Sequence, residues 1–474
     1  KKVEELNTAF KDFFNNKNFT YNSYVLSGNP DNLSALKKLL DKHEIEYGIP
    51  KAKTVKGYRY HTGTTDTETI PNTAMVVSTD QPKGTMVKVL FEPKAKLSDS
   101  LTYDITAWSL PYAYGLNTVA SATIVKSETA YSKPVFKPLS DAYAHIADWN
   151  SITDAKFLAA LFKEKIKVRT AYAPFSIGGN SYQRGSLIIT RSDNHQKKDF
   201  LKKLSQIARA FNKELTPATT GFVDSGKDFG SSYIRLLKQP KIAVLSGKPS
   251  SSLRFGEIWH FFEQQLQYPV TIIDTDYADT LSWDDYDIMI LPDGSYGNYL
   301  NQTRLKKIRE WVSAGGKLVA MGGAISNLSG KNGFGIATKK MNNDSLSKPK
   351  PHKNRQREFI KSTITGAIFK AKVDNTHPLA FGYDDVYYTL KLGNRAFDYL
   401  KVGNAVYLEG EQAAVSGFAG SKAQKRIANT LIFGTEVQGK GQVVYMVDNP
   451  LFRGFWENGK LFFANAIFMT NVAF

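Results

Sequence analysis

Cysteine is absent from this chain of 474 residues. The absence excludes thiol nucleophiles, disulfides and thiolate metal sites. It does not indicate a compartment, because a chain without cysteine suits both the cytosol and an oxidising periplasm. Long apolar runs are missing too: no stretch reaches the roughly 18 apolar residues of a membrane span, so we predict no transmembrane segment. The chain also begins without the features of a secretion signal, and we interpret it as a mature product or a fragment.

The charge is strongly basic, with 62 Lys and Arg against 44 Asp and Glu and a net charge of +18. Such a charge attracts phosphate groups. The basic residues are dispersed, however, and the densest stretch, residues 348–361, contains prolines typical of a solvated loop. We therefore expect no nucleic-acid partner.

The length predicts about three domains. Residues 1–20 contain an amphipathic helix with Val3, Leu6, Phe10, Phe13 and Phe14 at helical spacing. This spacing predicts a buried face. The helix is a candidate for the end of a missing catalytic domain.

A strand, helix and strand order occurs twice, over residues 21–130 and 131–238. TYNSYVLSG, LSALKKLLDKH and AMVVS in the first segment correspond to DAYAHIAD, TDAKFLAALFKEK and SLIIT in the second. The loops YRYHTGTTD and FSIGGNSYQRG also correspond. We predict two tandem small α/β repeats, each too small to cover its sheet alone.

From Lys241 onward, apolar strands alternate with amphipathic helices, which predicts a parallel sheet. We assign residues 239–329 and 440–474 to a doubly wound, flavodoxin-like domain. Between them, residues 330–439 are rich in Gly, Asn and Lys and predict a β-rich insertion that begins with a mobile loop. The predicted fold class is therefore α/β.

The string KLVAMGGAISNLSG predicts a sharp turn from a buried strand into a helix. α/β hydrolases and class-I amidotransferases hold a nucleophile at such a turn. Here the turn carries Gly322, Gly323 and Ala324, so thiolate chemistry is excluded. Ser326 would need a histidine and a carboxylate to act, and we expect it to cap the following helix instead. We predict no catalytic residue, with a hydrolase at this turn as the alternative.

The pair His43 and Glu46 has the H-x-x-E spacing of a zinc site, and His145 follows in the next repeat. His43 ends a predicted helix, however, while Glu46 lies in the predicted strand IEY, and the string KHEIEYG has no turn residue between them. We predict no metal site in this chain. His61 is a weaker candidate.

Two loops at the carboxyl ends of predicted strands form the candidate ligand site, as is common in open α/β sheets. The loop DGSYGNYLNQ offers Asp293, Gly294, Tyr296 and Tyr299 to a small molecule or a peptide. The loop SGKPSSSLRFG offers backbone amides and Arg254 to an anion. Neither loop has the spacing of a dinucleotide or P-loop motif, and structural turns remain the alternative.

The string MVDNPLFRGFW brings Arg453 next to Phe455 and Trp456. An arginine among aromatic residues is typical of an anchor within a chain or between subunits. We predict this role for the three residues.

Several strings together resemble the region that follows the catalytic domain in long bacterial zinc carboxypeptidases of the carboxypeptidase A type. They are QPKGTMVKVLFEP, YDITAWSLPYAYGL, the strands from KIAVLSG onward, THPLAFGY and VVYMVDNPLFRGFW. The resemblance implies a parent protein with an amino-terminal zinc peptidase, α/β modules and a terminal class-I glutamine-amidotransferase-like domain without its cysteine. It also implies a periplasmic, secreted or cell-surface location.

The chain departs from that family in its catalytic residues. The zinc-binding H-x-x-E of the family sits in a glycine-containing turn and is followed by a histidine, an arginine and a glutamate, none of which is recognisable before Tyr21. Zinc ligation is therefore not transferred to His43 and Glu46, and zinc is expected only in a catalytic domain elsewhere in the parent.

The expected function is a non-catalytic accessory part that packs domains, positions substrate peptides or binds partners. Expected partners are the zinc carboxypeptidase domain, peptides, or other subunits of a cell-surface complex. An assembly module of such a complex is a further alternative.

Overall fold

The computed structural model describes residues 2–14, 19–95, 97, 99, 105–128, 139–280, 282–340 and 351–470. It is a mixed α/β structure with several sheets, which confirms the predicted fold class. Residues 341–350, in the predicted mobile loop and at the start of the basic stretch, lie outside the described residues.

The first repeat and the helix before it are built from short elements. These are α1 (Lys2–Phe13), β1 (Ser23–Ser27), α2 (Pro30–Lys42), β2 (Ile49–Pro50), β3 (Thr54–Arg59), β4 (Thr64–Thr69), β5 (Met75–Ser78), α3 (Gly84–Phe91), α4 (Leu110–Tyr114), β6 (Asn117–Ser121) and β7 (Ser127–Glu128). The main sheet has the order β4-β3-β6-β1-β5 and is antiparallel, and β2 pairs with β7 beside it. The side chain of Asn29 caps α2 by accepting the backbone amides of Asp31 and Asn32.

The second repeat follows the same plan. Its elements are β8 (Ala144–Ala147), α5 (Ile152–Lys163), β9 (Arg169–Ala171), β10 (Phe175–Ile177), β11 (Asn180–Tyr182), β12 (Leu187–Thr190), α6 (Phe200–Ala210), β13 (Thr216–Ala218) and β14 (Ile234–Leu236). Its antiparallel sheet has the order β13-β8-β12-β9-β14. Ser151 and Asp154 form a capping box at the start of α5.

The strand pairing relates the two repeats. β1 lies between β5 and β6, as β8 lies between β12 and β13. Gly48, just before β2, bridges to Val76 of β5, as β9 pairs with β12. The hairpins differ, because β3–β4 joins the main sheet through β6 whereas β10–β11 forms a ribbon of its own.

The remaining elements belong to one large sheet and its helices. They are β15 (Ile242–Ser246), α7 (Ser252–His260), β16 (Thr271–Asp274), β17 (Ile288–Leu291), α8 (Gln302–Ala314), β18 (Lys317–Met321), α9 (Gly323–Leu328), α10 (Arg355–Ile360), β19 (Ile364–Val373), β20 (Val386–Lys391), β21 (Asn404–Leu408), β22 (Ser416–Ala419), α11 (Ser421–Ile427), β23 (Thr430–Gln438), β24 (Gly441–Met446) and α12 (Glu457–Phe468).

The parallel part of this sheet has the order β16-β15-β17-β18-β24. The first strand in sequence, β15, thus lies between the second and the third, which is the flavodoxin-like arrangement. The connections leave β15 in opposite directions at this point. A crevice for a ligand forms there, at the carboxyl ends of the strands.

The predicted insertion continues the same sheet. β23 pairs antiparallel with β24, and β21, β19 and β20 follow in that order. β22 also pairs with β19. The insertion strands therefore extend the sheet sideways from β24.

Both faces of the parallel sheet are covered. Val244 and Ile290 point toward α7 and α12, while Leu245 and Met289 point toward α8 and α9. The same apolar cluster that contains Val244 also contains Phe157 of the second repeat, so that repeat packs on the α7 and α12 side.

The first repeat packs on the insertion and the carboxyl-terminal segment, since its core includes Ile368, Leu390 and Trp456. An ion-pair network joins the two repeats. Lys213 Nζ lies 2.5 Å from Asp31 Oδ2 in the first repeat and 2.6 Å from Asp154 Oδ1 in the second.

The apolar face of α1 is exposed, which corrects the prediction that it is buried. Val3, Leu6 and Phe10 are 72%, 75% and 65% exposed. The segment IEY is also not a strand, because β2 begins only at Ile49. Among the helices of the described residues, none has the length and apolar character to cross a membrane.

Candidate functional site

A cleft lies at the carboxyl edge of the parallel sheet. It consists of a smaller cavity of about 350 Å³ and an adjoining larger cavity of about 760 Å³. The ends of β17, β18 and β24 contribute Asp293, Gly322 and Asp448 to the smaller cavity. Arg254 and Glu257 of α7 line both cavities, so the two form one continuous site.

Gly322 forms the sharp turn between β18 and α9. Its backbone has φ 52° and ψ −114°, a combination that residues with a side chain seldom adopt. This is the position that carries the nucleophile in enzymes with such a turn, and the oxyanion donor is the amide of the next residue. The turn has the strand-to-helix geometry of a nucleophile elbow, but glycine occupies the nucleophile position.

Asp293 fills the space at this turn. A Cβ atom on Gly322 would stand 2.5 Å from Cγ of Asp293. Asp293 Oδ1 accepts the amide of Gly323 at 2.6 Å, so the donor that an oxyanion would use is already bound to a carboxylate. Arg395 Nη1 lies 3.0 Å from the other oxygen, Oδ2, and holds the carboxylate in place.

Glu257 organises the boundary between the two cavities. Its Oε1 accepts Arg254 Nη1 and the backbone amide of Arg453, each at 2.8 Å. Its Oε2 accepts Asn449 Nδ2 at 2.5 Å. The Glu257 side chain is only 11% exposed, and these donors compensate for its burial.

A buried ion pair supports the floor of the smaller cavity. Lys391 Nζ lies 2.8 Å from Asp448 Oδ1, and the two side chains are 1% and 8% exposed. Thr389 donates its hydroxyl to Asp448 Oδ2 at 2.7 Å. The pair therefore joins the end of β24 to β20 of the insertion.

The structure brings two predicted site residues together, because Arg254 and Asp293 both line the smaller cavity. Gly294 lies beside them and packs closely, since a Cβ atom there would stand 2.4 Å from the Pro249 carbonyl oxygen. The prediction that the loop after β15 presents free amides is corrected. Ser251 donates its amide to the Asp293 carbonyl at 2.9 Å and Ser250 to the Gly247 carbonyl at 2.9 Å.

Tyr296, Tyr299 and Ser326 are not part of this cleft. Tyr296 is fully buried and donates to the Pro292 carbonyl, so it is a core residue and not a ligand contact. Tyr299 packs under the guanidinium of Arg304, 4.0 Å from its ring centre. Ser326 is exposed inside α9, whose cap position is Gly322, so the prediction that it caps the helix is wrong.

Arg453, Phe455 and Trp456 lie against other parts of the same chain. Trp456 is fully buried and its Nε1 donates to Tyr387 OH at 3.2 Å. Phe455 stacks on Trp108 of the first repeat with ring centres 6.2 Å apart. The segment therefore forms an intramolecular contact between the carboxyl-terminal region, the insertion and the first repeat.

The histidines weighed as metal ligands are separated by their elements. His43 ends α2 and is exposed, whereas His145 lies in β8 of the second repeat, where its ring contacts the Ser140 carbonyl at 3.2 Å. His61 contacts Arg59 Nη2 at 2.9 Å. Across the described part of the chain, no three His, Asp or Glu side chains are grouped as a metal ion would require.

The sequence missed Arg395 and Glu257 as site residues. Arg395 follows β20 in the insertion, and no local pattern connects that loop to Asp293. Glu257 had a signal, because it follows Arg254 by three residues on a helix and such pairs face the same side.

Solved structures match parts of the chain at low identity. A β-galactosidase from Bacillus circulans is 11% identical over 48% of this chain and 30% of its own length, with a TM-score of 0.29. A putative GMP synthase protein from Thermoplasma acidophilum is 10% identical over 48% and 94%, with a TM-score of 0.31. A glutamine amidotransferase from Thermotoga maritima is 9% identical over 45% and 77%, with a TM-score of 0.28.

The chain thus spans less than a third of the β-galactosidase that it matches, at 30% of its length. Glutamine amidotransferase-like folds are among the structural neighbours, but at these TM-scores the likeness says nothing about activity. No known protein family and no curated sequence matches the chain. The resemblance to zinc carboxypeptidases is not supported by these comparisons.

Proposed function

We propose that this chain is a non-catalytic accessory part of a zinc carboxypeptidase-like protein, in which the cleft of the parallel sheet binds a ligand without transforming it. The carrying observation is the position of the Asp293 carboxylate, 2.5 Å from where a side chain on Gly322 would begin. Together with the absence of cysteine, this contact argues against nucleophilic chemistry at the turn.

A packing role is supported by where the strings that carry the resemblance lie. Thr106, in YDITAWSLPYAYGL, donates its hydroxyl to the Gly366 carbonyl at 2.8 Å and accepts the amide of Phe418 at 2.7 Å. Tyr383, in THPLAFGY, stacks on Phe462 of α12 with ring centres 3.6 Å apart. These strings join separate modules, as expected of an accessory scaffold.

The proposal includes the partner and the location. The expected partner is a zinc carboxypeptidase domain of the same parent, with peptides or subunits of a cell-surface complex as further ligands, and the expected location is periplasmic, secreted or at the cell surface. Zinc belongs to that catalytic domain and not to this chain.

Activity assays test the catalytic part of the proposal. The pure chain is incubated with peptides that have free C-termini, with glutamine and with p-nitrophenyl acetate, each with and without added zinc. We expect rates equal to buffer for the chain and for a Ser326→Ala variant. Zinc-dependent trimming of peptides, or hydrolysis that Ser326→Ala abolishes, would overturn the proposal.

The coding region upstream of Lys1 tests the family part. An in-frame zinc peptidase domain there supports the accessory role. A leader peptide directly before Lys1 would contradict it and leave a free-standing binding protein.

A further inference from the structure

The larger cavity has the size of a small-ligand site. Its volume of about 760 Å³ lies within the roughly 300–1,000 Å³ of such sites. It is bounded by α7, by the segment after β24 and by Gly366 at a bulge of β19, with Ile105 of the first repeat closing one side. Three modules therefore meet around it.

Arg453 lines this cavity in a strained conformation. Its φ is 49° and its ψ is 22°, the left-handed region that favours glycine. Non-glycine residues persist in this region where the surrounding structure holds them, and they concentrate at ligand sites. The strain fixes the direction in which the arginine side chain leaves the backbone.

The guanidinium of Arg453 is held by aromatic rings and not by an acid. It lies 5.5 Å from the ring centre of Trp108 and 5.2 Å from that of Phe452. No carboxylate in the described part of the chain forms an ion pair with it. The planar face is thus occupied by rings, while the N–H edge stays available to an acceptor.

The other charges of the cavity compensate each other. Arg254 is paired with Glu257 at 2.8 Å, which leaves Arg453 as an uncompensated positive charge. The cavity wall is otherwise largely apolar, with Ile105, Leu253 and Leu392. Leu253 is 78% exposed, which is unusual for a large apolar side chain without a partner.

We propose that this cavity binds a monoanionic carboxylate with an apolar body, with Arg453 as the residue that receives the carboxylate. The inference rests on the proposed binding role of the cleft. A carboxylate fits the guanidinium edge through two parallel hydrogen bonds. A doubly charged phosphate fits less well, because the carboxylates of Asp293 and Asp448 line the adjoining cavity. The carboxylate can belong to a small free acid or to the C-terminus of a peptide.

Ligand titration with the pure chain tests the inference. The probes are N-acetyl-leucine and N-acetyl-Ala-Ala-Leu, each as free acid and as amide, with phenylacetate and phenyl phosphate as a second pair. We expect each acid to bind roughly tenfold or more tightly than its amide, and phenylacetate more tightly than phenyl phosphate. Tighter binding of the tripeptide acid than of N-acetyl-leucine assigns the site to a peptide C-terminus, and equal binding assigns it to a small acid.

Two glycine variants separate recognition from structure. Arg453→Gly removes the guanidinium and relieves the left-handed strain, so we expect the preference for acids to disappear without loss of thermal stability. Lys165→Gly is the matched control, because Lys165 is also a cation with a positive φ, 54°, but follows α5 in the second repeat. Arg453→Lys keeps the charge without the planar fork and should retain part of the preference.

Equal binding of acids and amides, tighter binding of phenyl phosphate, or an unchanged acid preference in Arg453→Gly would overturn the inference. Cleavage of the tripeptide during the titration would instead overturn the proposed non-catalytic function. The two failures are therefore distinguishable in one experiment.

Discussion

Asp293 and Gly322 exclude each other's side chains: a Cβ atom on Gly322 would stand 2.5 Å from Cγ of Asp293 and 2.7 Å from its carboxylate oxygens. The two residues come from the ends of neighbouring parallel strands. Their contact closes the turn that elsewhere presents a nucleophile.

The first prediction concerns Gly322→Ala. The added methyl group meets Asp293 and also makes the positive φ costly, so we expect a loss of about 2–5 kcal/mol in the free energy of unfolding. Urea denaturation measures this loss. Gly330→Ala is the control, because Gly330 has φ +71° but nothing within 4 Å of its Cβ position, and it should lose only roughly 1–2 kcal/mol.

The same pair gives a double-mutant test. In an Asp293→Gly background the carboxylate is gone, so Gly322→Ala should cost no more than the control. An equal cost of Gly322→Ala in both backgrounds would show that Asp293 does not fill the turn.

The second prediction separates the two partners of Asp293. Asp293→Ala leaves the buried Gly323 amide without its acceptor and should cost about 1–3 kcal/mol. Arg395→Gln removes only a half-exposed ion pair and should cost less than about 1 kcal/mol. Asp293→Asn keeps an acceptor oxygen and should resemble Arg395→Gln. Equal unfolding midpoints for Asp293→Ala and Arg395→Gln would contradict this account.

Local signals in the sequence predicted the parallel strands. β15, β17, β18 and β24 are continuous apolar runs, and Gly315 ends the helix before β18. Such signals depend only on neighbouring residues. For the same reason Asp293 was placed in the candidate site, because it directly follows β17.

The insertion shows what such signals leave open. Residues 439–440 were taken as a domain boundary, yet they form the turn of the hairpin between β23 and β24. A two-residue turn with Gly439 between two apolar runs is a hairpin signal that could have been used. The pairing of β19 with β21, in contrast, joins segments separated by a long loop and has no local signature.

Two other features depend on what surrounds a residue and not on its neighbours in sequence. The spacing in α1 shows that Val3, Leu6 and Phe10 share a face, but it does not show whether anything covers that face. The left-handed backbone of Arg453 is equally invisible in sequence, because arginine has no preference for it.

The third prediction concerns the contact between the repeats. Lys213 pairs with Asp31 and with Asp154, whose side chain is 1% exposed. Lys213→Met leaves a buried carboxylate without its cation and should cost about 3–5 kcal/mol in the free energy of unfolding.

The matched test for Lys213 adds Asp154→Asn to the same chain. Asparagine keeps an acceptor for the backbone amides of Asn150 and Ser151 while it removes the charge. The double variant should therefore be more stable than Lys213→Met alone. If the double variant is the less stable of the two, the ion pair is not what Lys213 contributes.

The last prediction is a pH dependence that arises from His377. Its Nδ1 accepts the amide of Leu379 at 3.1 Å, and its Nε2 lies 3.0 Å from Thr435 Oγ1, so the neutral ring satisfies both contacts. Burial lowers the pKa of His377 from 6.5 to about 4, against the opposing pull of Asp374. The unfolded chain therefore takes up a proton at a higher pH than the folded chain does.

The sign follows from this difference. Above about pH 6.5 both states are neutral at His377 and the stability is complete, whereas it falls as the pH drops from about 6.5 toward 4, by roughly 2–3 kcal/mol. Urea denaturation of the wild type and of His377→Asn at pH 7 and pH 4.5 measures it. Asparagine keeps the acceptor for Leu379 but does not titrate, so the variant should lose less stability on acidification. The exposed His352→Asn is the control and should behave like the wild type, and an identical acid loss in His377→Asn would assign the pH dependence to other groups.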